Sequence, residues 1–311
     1  MSKLVYLGTS GAMPTVERGL SCTVLALENE YIMVDCGDGS CRQYLKSNLK
    51  WNKPLTILIT HMHSDHTMGI LGLLQSMDLM KRTEPITIYG VRGISKFIHD
   101  VNRSVNFKLR FEFNVQEIDE RIDTLIPLRS GVVITTCKTK HQVPSIAYKV
   151  TLPDKAGALD IEECIRVGIP KNSPLLGKLK QGHDVTTTYS DGVVTYIRSK
   201  DVVGKPTKGL TIGFSGDTRP IPELIPFFKD CDYLTFETTF RSDELELAIK
   251  AKHSTAKETG QLANQANVKT LIANHFSARH ANTDGFKDDL EAEFGGNVVI
   301  ARDFLVLDLK G

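Results

Sequence analysis

Short apolar runs separated by glycine, proline and polar breaks dominate the first half of the chain, and most of them predict β-strands. The predicted strands are Lys3–Leu7, Ser21–Leu27, Tyr31–Asp35, Pro54–Thr60 and Ile86–Tyr89. Residue types and spacing predict helices over Asp38–Leu45, Met68–Met80 and Gly93–Val101. Pro54–Thr60 is almost continuously apolar, which is typical of a strand that is covered on both faces.

The second half of the chain has a regular part and an irregular part. Strands are predicted over Val132–Thr136, Ser145–Val150, Leu210–Ser215, Tyr233–Phe236 and Thr270–Asn274. Helices are predicted over Pro222–Lys229 and Thr255–Ala266, before a closing helix and strand. Residues 152–208 interrupt this alternation with four prolines and many glycines. We therefore expect one α/β domain over residues 1–311 with an inserted arm at about 152–208.

Composition narrows the expected environment and partners. The formal net charge is +1, so a nucleic-acid partner would have to be recognised by a local basic patch. The six cysteines show no Cys-x-x-Cys pair, and no apolar run approaches the ~18 residues that span a bilayer. We expect a reduced, soluble, cytoplasmic protein that has no membrane association.

The strongest chemical signal is the segment His61-Met-His-Ser-Asp-His66, directly after the predicted strand Pro54–Thr60. Imidazole and carboxylate groups suit a divalent ion such as zinc, and the end of a strand holds them rigidly. Side chains two residues apart in an extended segment point to one side. His61 and His63 can therefore bind one ion, while Asp65 and His66 face a neighbouring position.

Further ligands must lie downstream, because these four residues do not complete two metal sites. Three candidates follow predicted strands: His141, Asp217 and His275. Each has an ordinary alternative as a turn or loop residue. Their common position at strand ends favours a shared site.

These motifs, taken in order, resemble the metallo-β-lactamase superfamily and, more narrowly, the ribonuclease Z family of tRNA 3′-processing endonucleases. The segments that carry the resemblance are Leu7–Pro14, Val34–Asp38, His61–His66, Gly168–Pro170 with Gly177–Gly182, Phe214–Pro220, Glu237–Phe240, His253–Thr255 and His275–Arg279. The resemblance implies an αββα sandwich and covers almost the whole chain.

The resemblance also implies roles for the candidate residues. One zinc ion would be held by His61, His63 and His141, and a second by Asp65, His66 and His275, with Asp217 between them. Asp65 is expected to accept the proton of the attacking water as well. His253, oriented by Glu237, would donate a proton to the leaving group. A His and Asp site also accepts manganese, iron or cobalt.

The inserted arm and two arginines are the candidate substrate contacts. Residues 165–208 contain eight Lys or Arg and three Asp, a local balance of 8 − 3 = +5. Such a basic projection could bind an RNA backbone through its phosphates. Lys178 and Lys180 alternate, which predicts that both point the same way. Arg279 and Arg219 are candidate phosphate contacts, because guanidinium matches phosphate oxygens.

The leading hypothesis is a zinc-dependent endoribonuclease, dimeric by the resemblance, that cuts 3′ trailers from precursor tRNA and leaves a 3′-hydroxyl. One alternative is a small-molecule phosphodiesterase or arylsulfatase-like hydrolase with the same two ions. Another is a catalytically silent scaffold. The full ligand set argues against the scaffold, and the basic arm favours RNA over a small ester.

Overall fold

The chain folds into two units, one formed by residues 2–151 with 211–310 and the other by Leu152–Leu210. The structure is a computed structural model that describes residues 2–188, 192–280 and 282–310. Within these ranges, no helix combines the length and the apolar character needed to cross a membrane.

Strands supply most of the framework of the larger unit. They are β1 (Lys3–Gly8), β2 (Ser10–Gly11), β3 (Cys22–Ala26), β4 (Tyr31–Val34), β5 (Leu55–Ile59), β6 (Ile86–Val91), β7 (Phe113–Ile118), β8 (Leu125–Pro127), β9 (Val133–Lys138), β10 (Ile146–Thr151), then, after the inserted β11 (Val185–Thr188) and β12 (Val194–Ile197), β13 (Thr211–Phe214), β14 (Tyr233–Glu237), β15 (Thr270–Asn274), β16 (Phe276–Ser277), β17 (Asn297–Ile300) and β18 (Val306–Asp308).

Helices connect these strands. They are α1 (Ser40–Lys46), α2 (Ser64–Thr67), α3 (Gly69–Leu79), α4 (Ile94–Ser104), the inserted α5 (Ile161–Arg166), α6 (Leu175–Lys180) and α7 (Ser199–Val202), and then α8 (Leu224–Phe227), α9 (Leu245–Ala251), α10 (Ala256–Gln265) and α11 (Asp284–Glu291).

Two mixed sheets form the centre of the larger unit. The first has the strand order β18-β1-β3-β4-β5-β6-β7 and the second β17-β15-β14-β13-β10-β9-β8. Because side chains alternate along a strand, each strand packs one set of side chains against the helices and the other set against the opposite sheet. In β1, for example, Val5 and Leu7 join a cluster with α1, α3 and α4, while Leu4 and Tyr6 are buried on the other face.

The second sheet is covered in the same way by α8, α10 and α11. Hydrogen bonds join the two sheets directly. The Tyr6 hydroxyl lies 2.7 Å from Thr235 Oγ1, and the Tyr148 hydroxyl donates to the Ile59 carbonyl at 2.9 Å. The layers are therefore helices, sheet, sheet and helices, the αββα sandwich that the family resemblance implies.

The almost continuously apolar segment Pro54–Thr60 forms a buried strand, as predicted. Strand β5 (Leu55–Ile59) pairs in parallel with β4 and β6 and is buried along its whole length. The helix predicted over Pro222–Lys229 is wrong in length, since only Leu224–Phe227 is helical and prolines flank and enter the segment. Helix α9, which the sequence analysis did not predict, buries only Ala248 and so lacks an apolar stripe.

The smaller unit has more regular structure than its irregular sequence predicts. Helices α5, α6 and α7 and the hairpin of β11 and β12 enclose a core of their own. The buried side chains of that core are Cys164, Ile169, Leu179, Val185, Ile197 and Val202. The two ends of the unit run alongside each other, because Lys155 and Thr207 exchange backbone hydrogen bonds of 2.9 Å.

Candidate metal centre

Strand ends from both sheets bring the candidate residues together. Strands β13, β14 and β15 are parallel neighbours in the second sheet, so their carboxyl ends lie at the same edge. Asp217, Glu237 and His275 are at these strand ends. His61 follows β5 of the other sheet, and it is bridged to Ser145 just before β10. His141 lies in the loop between β9 and β10.

The first donor group consists of His61, His63, His141 and Asp217, whose facing ligand atoms all lie within 4.8 Å of one another. His63 Nδ1 is 3.0 Å from His61 Nε2 and 3.1 Å from His141 Nε2. Asp217 Oδ2 is 3.6 Å from His61 Nε2 and 3.8 Å from His141 Nε2. Ligands at about 2.0 Å from a tetrahedral ion are roughly 3.3 Å apart, so this spacing fits one divalent ion.

The second donor group consists of Asp65, His66, Asp217 and His275, all of them buried. His66 Nε2 lies 3.3 Å from His275 Nε2 and from Asp217 Oδ2. Asp65 Oδ2 lies 3.5 Å from His66 Nε2 and 3.6 Å from His275 Nε2. Asp217 belongs to both groups, so its carboxylate stands between two adjacent positions.

Hydrogen bonds on the outer ring nitrogens orient four of the five donor histidines towards the centre. Each partner accepts an Nδ1–H, which leaves Nε2 free to bind a metal. Asp35 accepts from His66 at 2.7 Å, Thr60 from His61 at 3.0 Å, Thr239 from His275 at 2.9 Å and the Lys252 carbonyl from His141 at 3.0 Å.

The backbone near His275 is shaped for close packing. His275 has a left-handed φ of 62°, which a non-glycine residue rarely adopts. Gly11 lies against the imidazole ring, and a Cβ atom on Gly11 would approach the ring to 2.4 Å. The neighbouring Ala12 N–H donates to Asp65 Oδ2 at 2.7 Å.

Electrostatics in the centre favours ionised carboxylates. Burial alone would raise the pKa of Asp217, but its interactions with the imidazoles of His275, His66 and His61 hold it well below its usual range. Burial also opposes ionisation of Asp65, but the adjacent imidazoles of His275 and His66 lower its pKa nevertheless. Burial lowers the pKa of His61, which favours the neutral imidazole that binds a metal.

Glu237 and His253 form a second functional pair beside the donor groups. His253 Nδ1 lies 2.9 Å from Glu237 Oε1. The other oxygen of Glu237 accepts from the Thr239 hydroxyl at 2.7 Å, which fixes the carboxylate in place. Burial lowers the pKa of His253, but the charge and hydrogen bond of Glu237 outweigh it and raise the pKa to about 9. The imidazole is thus protonated at neutral pH.

The predicted substrate contacts lie outside the donor groups. Arg279 is exposed, shortly after His275. Lys178 and Lys180 are exposed in the smaller unit, but on helix α6. The prediction that they point the same way is wrong, because residues two apart on a helix lie on different faces. Arg219 is mostly buried and makes internal contacts with Glu258 and the His253 carbonyl, which corrects its prediction as a phosphate contact.

Three residues of the centre have a role that the sequence does not predict: Asp35, Thr60 and Thr239. Asp35 is buried at the end of β4, where it accepts from the Thr60 N–H at 2.9 Å as well as from His66. Thr239 links Glu237 to His275. A charged residue directly after a fully buried strand is the one signal that could have singled out Asp35.

Two adjacent His and Asp donor groups at the mouth of an αββα sandwich define a metal-dependent hydrolase of the metallo-β-lactamase fold. Two solved structures that share this fold match over nearly their full length. Human tRNase Z, short form, matches with a TM-score of 0.71 and 23% identity, covering 99% of each chain. YhfI from Bacillus subtilis, a metallo-β-lactamase fold protein, matches with a TM-score of 0.68 and 19% identity over 98% of each chain.

The chain belongs to the ribonuclease Z family. It is 40% identical to ribonuclease Z of Nitrosopumilus maritimus, over 99% of this chain and 100% of the relative. It is 36% identical to ribonuclease Z of Brevibacillus brevis, over 93% and 90%. Residues 2–157 also match the family model of the anti-Pycsar protein Apyc1. These findings confirm the predicted fold, the predicted family and the enzyme class of a hydrolase, and they imply divalent-metal use.

Proposed function

We propose that this chain is a zinc-dependent endoribonuclease that removes 3′ trailers from precursor tRNA and leaves a 3′-hydroxyl on the tRNA. The observation that carries the proposal is the pair of donor groups sharing Asp217, with the Glu237–His253 pair beside them, in a member of the ribonuclease Z family. The predicted enzyme class, a tRNA 3′-endonuclease, follows from that membership.

The proposed cofactor is two Zn²⁺ ions per subunit. One ion would be held by His61, His63 and His141 and the other by Asp65, His66 and His275, with Asp217 shared. When bound, such a pair lowers the pKa of water and stabilises negative charge on phosphate oxygens. The predominance of imidazole favours zinc, and manganese is the principal alternative.

The residues of the chain supply orientation and proton transfer. Asp65 stays ionised, so its carboxylate can accept the proton of the attacking water as well as bind a metal. His253 is protonated near neutral pH and donates to the 3′-oxygen when the bond from that oxygen to phosphorus breaks. Glu237 receives the Nδ1–H of His253, which leaves the opposite ring nitrogen for the leaving group.

The smaller unit is the proposed tRNA-binding arm. Within residues 165–208 of this unit, two of the eight basic residues form local ion pairs, Arg166 with Glu163 and Arg198 with Asp201. The six lysines are all exposed, at 171, 178, 180, 200, 205 and 208. Asp191, one of the three aspartates counted against them, lies outside the described residues. Exposed lysines suit phosphates and read no bases, as binding to many different tRNAs requires.

Three further parts of the proposal concern a substrate contact, the oligomeric state and the cellular compartment. Arg279 is exposed, follows His275 closely in sequence, and is the proposed phosphate contact. We expect a homodimer, which light scattering would detect as twice the mass of 34.5 kDa. We also expect the protein to work in the cytoplasm.

One comparison tests the function. The purified protein is given a 3′-extended precursor tRNA and, separately, bis(p-nitrophenyl) phosphate, and kcat/KM is measured for both. We expect a much larger value for the tRNA, with a 3′-hydroxyl on the mature product. Hydrolysis of the ester without cleavage of the tRNA would instead support the small-molecule phosphodiesterase.

A further inference from the structure

Arg219 stands at the junction between the metal centre and the segment that carries His253. It follows Asp217 closely in sequence, and its backbone N–H donates to the Lys140 carbonyl at 2.9 Å. Lys140 directly precedes His141. The backbone of Arg219 is therefore fixed to the loop that supplies a candidate ligand.

The side chain of Arg219 points away from bulk solvent and is only 15% exposed. Its Nη1 donates to the His253 carbonyl at 2.6 Å and to Glu258 Oε2 at 2.9 Å. Its Nη2 pairs with the other oxygen of the same carboxylate. This fork leaves little of the guanidinium for a substrate phosphate.

Glu258 connects this ion pair to the start of α10. Thr255 and Glu258 form a capping box, in which each side chain accepts from the backbone N–H of the other residue. Just before it, the Ser254 hydroxyl donates to the Thr218 carbonyl at 2.7 Å. The segment that begins at His253 is thus held at its carbonyl and at Glu258 by Arg219, and at Ser254 by the Thr218 carbonyl.

We propose that Arg219 is a positioning residue, which sets the position and orientation of the His253 imidazole relative to the donor groups. Glu237 fixes the imidazole through one nitrogen, and Arg219 fixes the backbone from which that side chain extends. A displacement of about 1 Å can reduce a reaction by about 100-fold, so both constraints matter. The inference rests on the proposed function, in which His253 protonates the leaving oxygen.

The two substrates of the functional assay separate this role from a general structural one. The 3′-oxygen of a ribose is a poor leaving group and needs a proton. A p-nitrophenolate leaves without one, so a fault confined to His253 spares bis(p-nitrophenyl) phosphate. Arg219→Ala is expected to lower kcat on precursor tRNA about 10- to 100-fold, to leave KM within about twofold, and to spare the ester.

Two further variants make the test specific. In an His253→Ala background, Arg219→Ala should cause little additional loss, because the two residues act as a unit. Arg110→Ala is the matched control: Arg110 also donates both to a carboxylate and to a carbonyl, those of Asp78, but far along the chain from these motifs. The control should cleave both substrates as the unmodified protein does.

Several outcomes would overturn the inference. Unchanged tRNA cleavage by Arg219→Ala would do so, and so would equal loss on both substrates. A rise in KM alone would instead support the prediction from the sequence that Arg219 contacts a substrate phosphate. If the unmodified protein cleaves the ester but not the tRNA, the proposed function itself fails and the positioning role fails with it.

Discussion

The most informative single substitution is Asp35→Asn, because it changes one atom outside both donor groups. The Asp35 carboxylate accepts from His66 Nδ1 at 2.7 Å, from the Thr60 N–H at 2.9 Å and from the Thr60 hydroxyl at 3.0 Å. An asparagine can keep its oxygen towards Thr60 and then presents an N–H to His66. That N–H forces the imidazole proton onto Nε2, the atom that faces the second donor group.

The expected magnitude follows from this tautomer. Loss of an outer partner of a ligating histidine typically costs 10- to 100-fold in metal affinity, or about 1.4–2.8 kcal/mol. Asp35→Ala should be worse for folding, because three buried donors lose their acceptor at about 1–3 kcal/mol each. Mutual relaxation limits the total to roughly 3–5 kcal/mol.

The assay measures both effects on the same samples. Zinc content and affinity are followed by elemental analysis and by competition with a chromophoric chelator, and the free energy of unfolding by urea titration. Asp38→Asn is the matched control, since Asp38 is exposed in the same segment and the charge change is identical. An Asp35→Asn protein that retains two ions at unchanged affinity would refute the reasoning.

Four other outcomes can be checked. Cleavage of precursor tRNA should fall above about pH 9. Burial lowers the pKa of His253, but its partner Glu237 raises it to about 9, and only the protonated imidazole can donate a proton to the leaving oxygen. His253→Gln should abolish this alkaline limb in the pH–rate profile, and a limb that persists would mean that another group titrates there. Dialysis against a chelator should abolish hydrolysis and lower the Tm, because buried carboxylates and imidazoles lose a shared cation, and added Zn²⁺ should restore both; hydrolysis that survives metal removal contradicts the proposed chemistry. Lys178→Ala and Lys180→Ala should each raise KM for precursor tRNA and reduce the salt dependence of log KM by about one, with unchanged ester hydrolysis as the internal control. Thr151 and Thr211 are paired across β10 and β13, so a two-residue turn can replace residues 152–210; this variant should lose tRNA cleavage and keep the ester, and retained tRNA cleavage would disprove the role of the arm.

Strand ends made much of the metal centre predictable. A continuous apolar run identifies β5, and the polar residues that follow it are then placed at one edge of a sheet. The same reasoning picked out Asp217 and His275, and the bounds predicted for β15, Thr270–Asn274, agree with the structure. These signals are local, because a buried strand and the turn after it are adjacent in sequence.

The outer partners were not predictable because their roles depend on contacts between distant segments. Asp35 and His66 are 31 residues apart, and nothing in the sequence near either residue indicates the pairing. Lys178 and Lys180 illustrate a different difficulty. The four residues between Gly177 and Gly182 fit either an extended or a helical backbone, and in the structure they belong to the end of a helix that buries Leu179 in the core of the smaller unit.

The distribution of donors between the two sheets links metal binding to folding. His61 and His63 extend from β5 in one sheet, whereas Asp217 and His275 follow β13 and β15 in the other. A complete donor group therefore exists only when the two sheets are packed against each other as in the folded protein. An ion bound there would favour that arrangement over any state in which the sheets separate. The seven candidate ligands would thus stabilise the fold when an ion is bound, in addition to supplying the chemistry. The carboxylate of Asp217, which belongs to both donor groups, contributes to both effects.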